Sequence, residues 1–119
     1  MATILVVDDT ALERKRHRTF LERQGHDVIE AVNGAAALEM AKEHRPAAIV
    51  MDVLMPEMDG FAAAKRLMLD PITCGIPVIM VTSKSQLHDR HRAGQLGAKG
   101  YIIKPADEKT LVELLSTLL

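Results

Sequence analysis

With 119 residues, 48% of them hydrophobic and 26% charged, the chain has the size and make-up of one soluble globular domain. A formal net charge of -1 gives no bulk attraction to nucleic acid or to anionic membranes. The lone cysteine, Cys74, excludes an intrachain disulfide and suits a reducing compartment, so the cytoplasm is the expected location; no apolar stretch is long enough for a signal-peptide core or a membrane span.

Short apolar runs alternate with longer segments of helical pattern. The first run, residues 4–7, is apolar throughout, as in a strand covered on both faces of a parallel sheet. After Asp8-Asp9, either Asp9 or Thr10 is placed to cap a helix that runs to Gln24 and stops at Gly25. Leu12, Phe20 and Leu21 form its expected inward face, with Arg16 and His17 in the middle, where long basic side chains can lay their stems on the core. The second strand, 28–31, is flanked by Asp27 and carries Glu30, which suits a sheet edge. Asn33-Gly34 opens a second helix with Leu38 and Ala41 inward, and Pro46 closes it. Strand three, 47–51, leads into Asp52. A third helix, 60–69, has Phe61, Ala64, Leu67 and Met68 at helical spacing. The loop 70–77, with Pro71, Gly75 and Pro77, precedes strand four at 78–81 and helix four at 86–96. Strand five, 101–103, is followed by a helix from about Asp107 with the stripe Leu111, Leu114, Leu115 and Leu118.

Five βα units with no repeat or linker imply one domain over residues 1–119. Right-handed crossovers then predict an α/β, doubly wound five-stranded parallel sheet, flavodoxin-like (βα)5, of order 2-1-3-4-5. In such sheets the chemistry lies beyond the carboxyl ends of the strands. Those ends carry Asp8-Asp9, Asp52, Thr82-Ser83 and Lys104-Pro105. Strands one and three are neighbours in this order, so three carboxylates converge. Like charges at close range raise one another's pKa unless a cation joins them. A hard divalent ion fits: Mg²⁺, with Mn²⁺ as an alternative. Phosphoryl transfer onto a carboxylate matches the set, because its catalysis is mostly positioning and neutralisation. A metal held by Asp9 and Asp52 would take one oxygen of the transferring group, the Lys104 ammonium a second, and the Thr82 hydroxyl a third.

The pattern Val7-Asp8-Asp9, Met51-Asp52 with Met55-Pro56 and Asp59-Gly60, Val81-Thr82-Ser83 and Lys104-Pro105 resembles the receiver domain of two-component response regulators. The likeness spans residues 4–118. It implies that Asp8 and Asp9 arrange the metal, that the Leu54 backbone carbonyl completes its shell, and that Asp52 is the phosphoacceptor. The donor would be the phosphohistidine of a histidine kinase or phosphotransfer protein. It further implies that Thr82 moves toward the phosphate, that Lys104 pairs with it, that the Lys104-Pro105 bond is cis, and that Tyr101 is the switch aromatic whose ring swings inward. Leu54 and Lys84 occupy positions that tune phosphate lifetime in the family.

The chain's extent, from Met1 to the end of helix five, gives the expectation of a stand-alone response regulator. Phosphorylation would switch a surface of helix four, strand five and helix five that meets a downstream protein target. The 70–77 loop and the Gly100-Tyr101 segment resemble single-domain motility regulators of chemotaxis-like or type IV pilus pathways. No direct nucleic-acid contact, no membrane insertion and a monomer or weak dimer are expected. The activity would be self-phosphorylation and autodephosphorylation, not turnover on external substrates. The alternative is the receiver fragment of a longer regulator with a DNA-binding or cyclic-dinucleotide output domain. A phosphatase using Asp8 as nucleophile is disfavoured, because that family separates its two aspartates by one residue. A flavin-binding domain is disfavoured because no phosphate-cradling loop follows strand one.

His88 and His91, among Asp89, Arg90 and Arg92, read as a solvated face. Cys74 has no histidine partner in view, and core filling accounts for most of the methionines. Helix one is strongly basic, with Arg14, Lys15, Arg16, Arg18 and Arg23. Helix one of the family commonly docks on the histidine-bearing partner, so Arg14 and Arg18 are expected to recognise an acidic patch there. Helix four carries His88, Arg90, His91 and Arg92 where the family often buries aliphatics, and Gly94 inside it costs about 1 kcal/mol relative to alanine. Helix four is therefore predicted to be marginal. Its amides should exchange with solvent faster than those of helix five; equal protection in the two helices would refute this.

Overall fold

The alternation of apolar runs and helical segments folds as five consecutive βα units. They are β1 (Thr3–Val7), α1 (Ala11–Arg23), β2 (Asp27–Ala31), α2 (Gly34–His44), β3 (Ala48–Asp52), α3 (Gly60–Leu69), β4 (Val78–Thr82), α4 (Leu87–Gln95), β5 (Gly100–Ile103) and α5 (Glu108–Leu118). The computed structural model describes residues 2–83 and 87–119, so the expected start of the fourth helix at Gln86 and the position of Lys84 lie outside the described residues. The five strands are parallel in the order β2-β1-β3-β4-β5, as predicted, with the polar-flanked β2 at an edge.

Alternate strand residues feed two cores, as the two-residue period of a strand requires. Leu5, Val7, Ile49, Met51, Val78 and Met80 face α2, α3 and α4, where Ala37, Ala41, Phe61, Leu67 and Ala93 pack on them. Ile4, Val6, Val50, Ile79, Val81 and Ile102 face α1 and α5, against Leu21, Leu111 and Leu115. Helices therefore cover both faces, and β1, β3 and β4 are buried almost throughout. Asn33, Asp59 and Asp107 start α2, α3 and α5 by accepting from the N–H groups of Ala36, Ala62 and Thr110. Among the described residues no helix is long and apolar enough to cross a membrane.

Several local expectations are corrected. Thr10 stands at the N-cap of α1, but its side chain makes no capping bond. Leu12 is 73% exposed, and the buried residues of α1 are His17 and Leu21. The helical period explains it: Leu12 and Leu21 are nine residues, or about two and a half turns, apart and so lie on opposite sides. Ala47 is exposed and β3 begins one residue later. Met68, in the last turn of α3, is partly exposed although Phe61, Ala64 and Leu67 are buried. Asp89 belongs not to a solvated face but to the buried side of α4, one turn before Ala93.

Leu111→Ala should cost about 3 kcal/mol in urea denaturation, because it empties a fully enclosed site. Leu12→Ala should change stability by no more than about 0.5 kcal/mol. Comparable losses from the two substitutions would contradict this packing.

Candidate functional site

Strand register carries the polar residues to one end of the sheet. Val7 lies opposite Met51, so Asp8 and Asp52 emerge side by side from the adjacent strands β1 and β3. Asp52 lies opposite Val81 and Thr82 opposite Ile103, which brings Thr82 and then Lys104 to the same rim. Carboxylate oxygens of Asp8, Asp9 and Asp52 lie within 4.8 Å of one another, with Asp8 and Asp52 buried and Asp9 exposed. Lys104 Nζ stands 2.9 Å from Asp8 Oδ2 and 3.5 Å from Asp52 Oδ1. The other Asp8 oxygen, Oδ1, accepts from the Thr10 N–H at 2.8 Å. Thr82 is fully buried, and its carbonyl accepts from the Lys104 N–H at 2.8 Å.

Burial pushes the Asp52 carboxyl up to about 6, with the Asp8 charge adding to the rise and the Lys104 charge and the Leu54 N–H opposing it. Burial pulls the Lys104 ammonium downward, but its hydrogen bond to Asp8 and the charges of Asp52, Asp8 and Glu13 outweigh that and leave its pKa raised. At neutral pH the acceptor candidate is an ionised carboxylate in an environment that resists its charge. Three anionic oxygen donors converging at this range suit a hard divalent cation.

The turn after Asp52 is held closely. Glu57 has φ 67°, in the left-handed region, and the Gly60 N–H donates to the Val53 carbonyl at 2.9 Å. A Cβ at Gly60 would lie 2.3 Å from the Asp52 carbonyl oxygen, so only glycine lets α3 start this close to β3. Leu54 has an exposed side chain, and the Lys104-Pro105 peptide is cis. Tyr101 is half-buried on β5 with the Arg90 guanidinium 5.2 Å from its ring centre. Its hydroxyl pKa is raised by burial and by the Asp89 charge, against the pull of Arg90.

The basic helix is tied into its own fold. Arg14 Nε pairs with Glu30 Oε1 at 3.0 Å and Arg14 Nη1 donates to the Asp8 carbonyl at 2.7 Å. Arg18 pairs with Glu30 and Glu22, and Arg23 with Glu108. Arg14 and Arg18, expected to meet an acidic partner, are thus engaged within the chain. One polar group near the site, His17, lies on the inward side of α1, where the sequence put it. His17 is buried, and its Nε2 stands 3.7 Å from Glu13 Oε2 with neither atom hydrogen-bonded among the described residues. Burial lowers its pKa, although the charges of Glu13 and Asp8 pull the other way. Spacing put His17 in the inward face of α1 but gave no sign that its ring, with the Glu13 oxygen beside it, would be covered completely.

The description "Response regulator receiver domain" matches residues 4–116. Protein PilH of Pseudomonas aeruginosa is 40% identical over 119 residues, covering 100% of this chain and 98% of that protein. The polar-differentiation response regulator DivK of Brucella anthropi is 36% identical, over 98% of this chain and 95% of its own. The solved structure of Vibrio cholerae chemotaxis protein CheY4 superposes with a TM-score of 0.93 at 31% identity, covering 100% of this chain and 99% of that one.

The raised pKa of Asp52 has a stability consequence. Because its folded value exceeds the ordinary 3.8, ionisation penalises the folded state, and the penalty grows as pH rises from 3.8 through about 6. Asp52→Asn should therefore stabilise the metal-free protein by about 3 kcal/mol at pH 7.5 and by only about 0.5 kcal/mol near pH 4. Denaturation measured at both pH values checks this; a gain of equal size at both would mean that ionisation is not the cause.

Proposed function

The chain belongs to the response regulator receiver domain family, and from that premise we propose that it is a phosphorylation-switched signalling domain with Asp52 as phosphoacceptor. The observation that carries the proposal is the Lys104 ammonium set between Asp8 and Asp52, with Asp9 beside them. A phosphohistidine on a histidine kinase or phosphotransfer protein is the proposed donor. An Asp52 oxygen forms the new bond to phosphorus, the phosphorus–nitrogen bond breaks, and the departing imidazole nitrogen keeps the electron pair. Asp52 must be ionised to attack, which its pKa of about 6 allows at neutral pH.

Asp8, Asp9 and Asp52, with the Leu54 carbonyl, are the proposed ligands for Mg²⁺, or for Mn²⁺ in its place. The ion would supply positive charge that offsets the charge on the phosphoryl oxygens. Lys104 would neutralise a second oxygen and the Thr82 hydroxyl would donate to a third. Once Asp52 is phosphorylated, its charge and acceptor oxygens are new to the crevice, and Thr82 and Lys104 reorient toward them. Tyr101 on β5 then follows Thr82, and the face made by α4, β5 and α5 changes its affinity for a downstream protein. Coverage of nearly the full length of PilH and of CheY4 supports action as a single-domain regulator; likeness to a chemotaxis protein supports a motility pathway, and the cytoplasm is the proposed place of action. Phosphorylation and its reversal on Asp52 are the whole of the chemistry proposed, without turnover on external substrates.

Intact mass after incubation with acetyl phosphate tests this reading. The parent should gain one phosphoryl group with Mg²⁺ present and none without it, and Asp52→Asn should gain none. A folded, Mg²⁺-supplied parent that stays unmodified would remove Asp52 from the acceptor role.

A further inference from the structure

The cation site has a support that lies outside the carboxylates themselves. Asp8 is the first residue past β1, and its N–H still donates to the Ala31 carbonyl of β2 at 3.2 Å. Its own carbonyl accepts from Arg14 Nη1 at 2.7 Å. The same guanidinium is gripped through Nε by Glu30 Oε1 at 3.0 Å, and the second Glu30 oxygen pairs with Arg18. Arg18 is fixed in turn by Glu22 and by the Val28 carbonyl, both at 3.2 Å. A planar guanidinium with two of its nitrogens engaged has little freedom to turn, so the carbonyl it holds is set in place.

We propose that Arg14 is a positioning residue for the cation site: clamped by Glu30 of the edge strand, it fixes the Asp8 carbonyl and thereby the Asp8-Asp9 pair. The inference rests on the reading that Asp8, Asp9 and Asp52 hold Mg²⁺. Asp8 supplies one oxygen to the Thr10 N–H and the other to Lys104, so its side chain is aimed by bonds at both ends. That aim holds only while the backbone beneath it is still, and Arg14 holds that backbone from the helix side.

Charge and geometry make opposite demands here, which gives the proposal a sharp test. Arg14 is a cation beside an anionic site, so by charge alone its removal should draw Mg²⁺ in more tightly. Loss of a group that positions metal ligands weakens metal binding instead, typically by 10–100-fold. The full-length chain is titrated with MgCl₂, following backbone amide resonances, for the parent, Arg14→Met, Arg14→Lys, Glu30→Gln and the Arg14→Met/Glu30→Gln pair. Arg14→Met should raise the Mg²⁺ Kd by roughly tenfold. In the metal-free protein the amide signals of Asp8, Asp9 and Thr10 should shift or broaden while those of α5 stay put. Arg14→Lys, which keeps the charge but loses the fork, should weaken binding too. Glu30→Gln should weaken it in the parent background and, once Arg14 is methionine, add only the small loss due to its missing negative charge, since the clamp on Arg14 is already gone.

Binding by Arg14→Met as tight as the parent's, or tighter, overturns the proposal, as do additive losses in the double variant. Should Arg14→Met not fold, Arg14→Lys and Glu30→Gln carry the same test. A parent that binds no Mg²⁺ overturns the cation reading and this inference together. A parent that binds it with Arg14 variants unaffected overturns this inference alone.

Discussion

One ammonium group, Lys104 Nζ, lies between two buried carboxylates, 2.9 Å from Asp8 and 3.5 Å from Asp52. Parallel packing of β1 against β3 makes the problem that this contact answers. Adjacent strands that finish in aspartate bring two like charges into a space from which water is mostly excluded, and the sheet cannot separate them without losing register. The cation comes from the far edge of the sheet, so β5 must be in place for the ends of β1 and β3 to coexist. The fold and the site are in this sense one arrangement: the order that puts β1 beside β3 creates the anionic crevice, and the same order lets β4 and β5 deliver Thr82 and Lys104 to it.

Sequence was most informative where a single constraint ruled. The apolar runs of β1, β3 and β4 are buried on both faces and read as such, and the residues closing them define the crevice without reference to any side-chain geometry. The polar flanks of β2 marked the edge. Reading failed where a helix mixes both characters. In α1, leucine and phenylalanine lie on more than one side: Leu12 stands on the side of Phe20 and is nonetheless exposed, while His17, already placed inward by its spacing, is covered completely. Asp89 in α4, expected on a solvated face, is buried as well. Burial of a polar side chain depends on partners brought from elsewhere in the chain, and local spacing carries no record of them.

The basic character of α1 has a related explanation. With only two fully buried side chains, this helix adds ionic contacts with β2 and α5 to the apolar packing of Leu21 and Phe20. Glu30 is the hub of that attachment, receiving two arginines from successive turns. Such pairs are worth little when fully solvated, but Arg14 and Glu30 are mostly covered, and their geometry is constrained by the Asp8 carbonyl and by strand β2. Helix attachment and site geometry therefore share the same side chains.

The contact between Gly60 and Asp52 has a mechanical consequence. With 2.3 Å between the Asp52 carbonyl oxygen and the place a Cβ would occupy, there is no room for a side chain between the Asp52 main chain and the first residue of α3. A junction with no room for even one methyl group leaves little free volume to absorb movement, so the strand end and the helix start are coupled closely. A shift of the Asp52 backbone, whatever its origin, is handed to the ten residues of α3 as a rigid displacement and is not taken up as slack in the intervening turn.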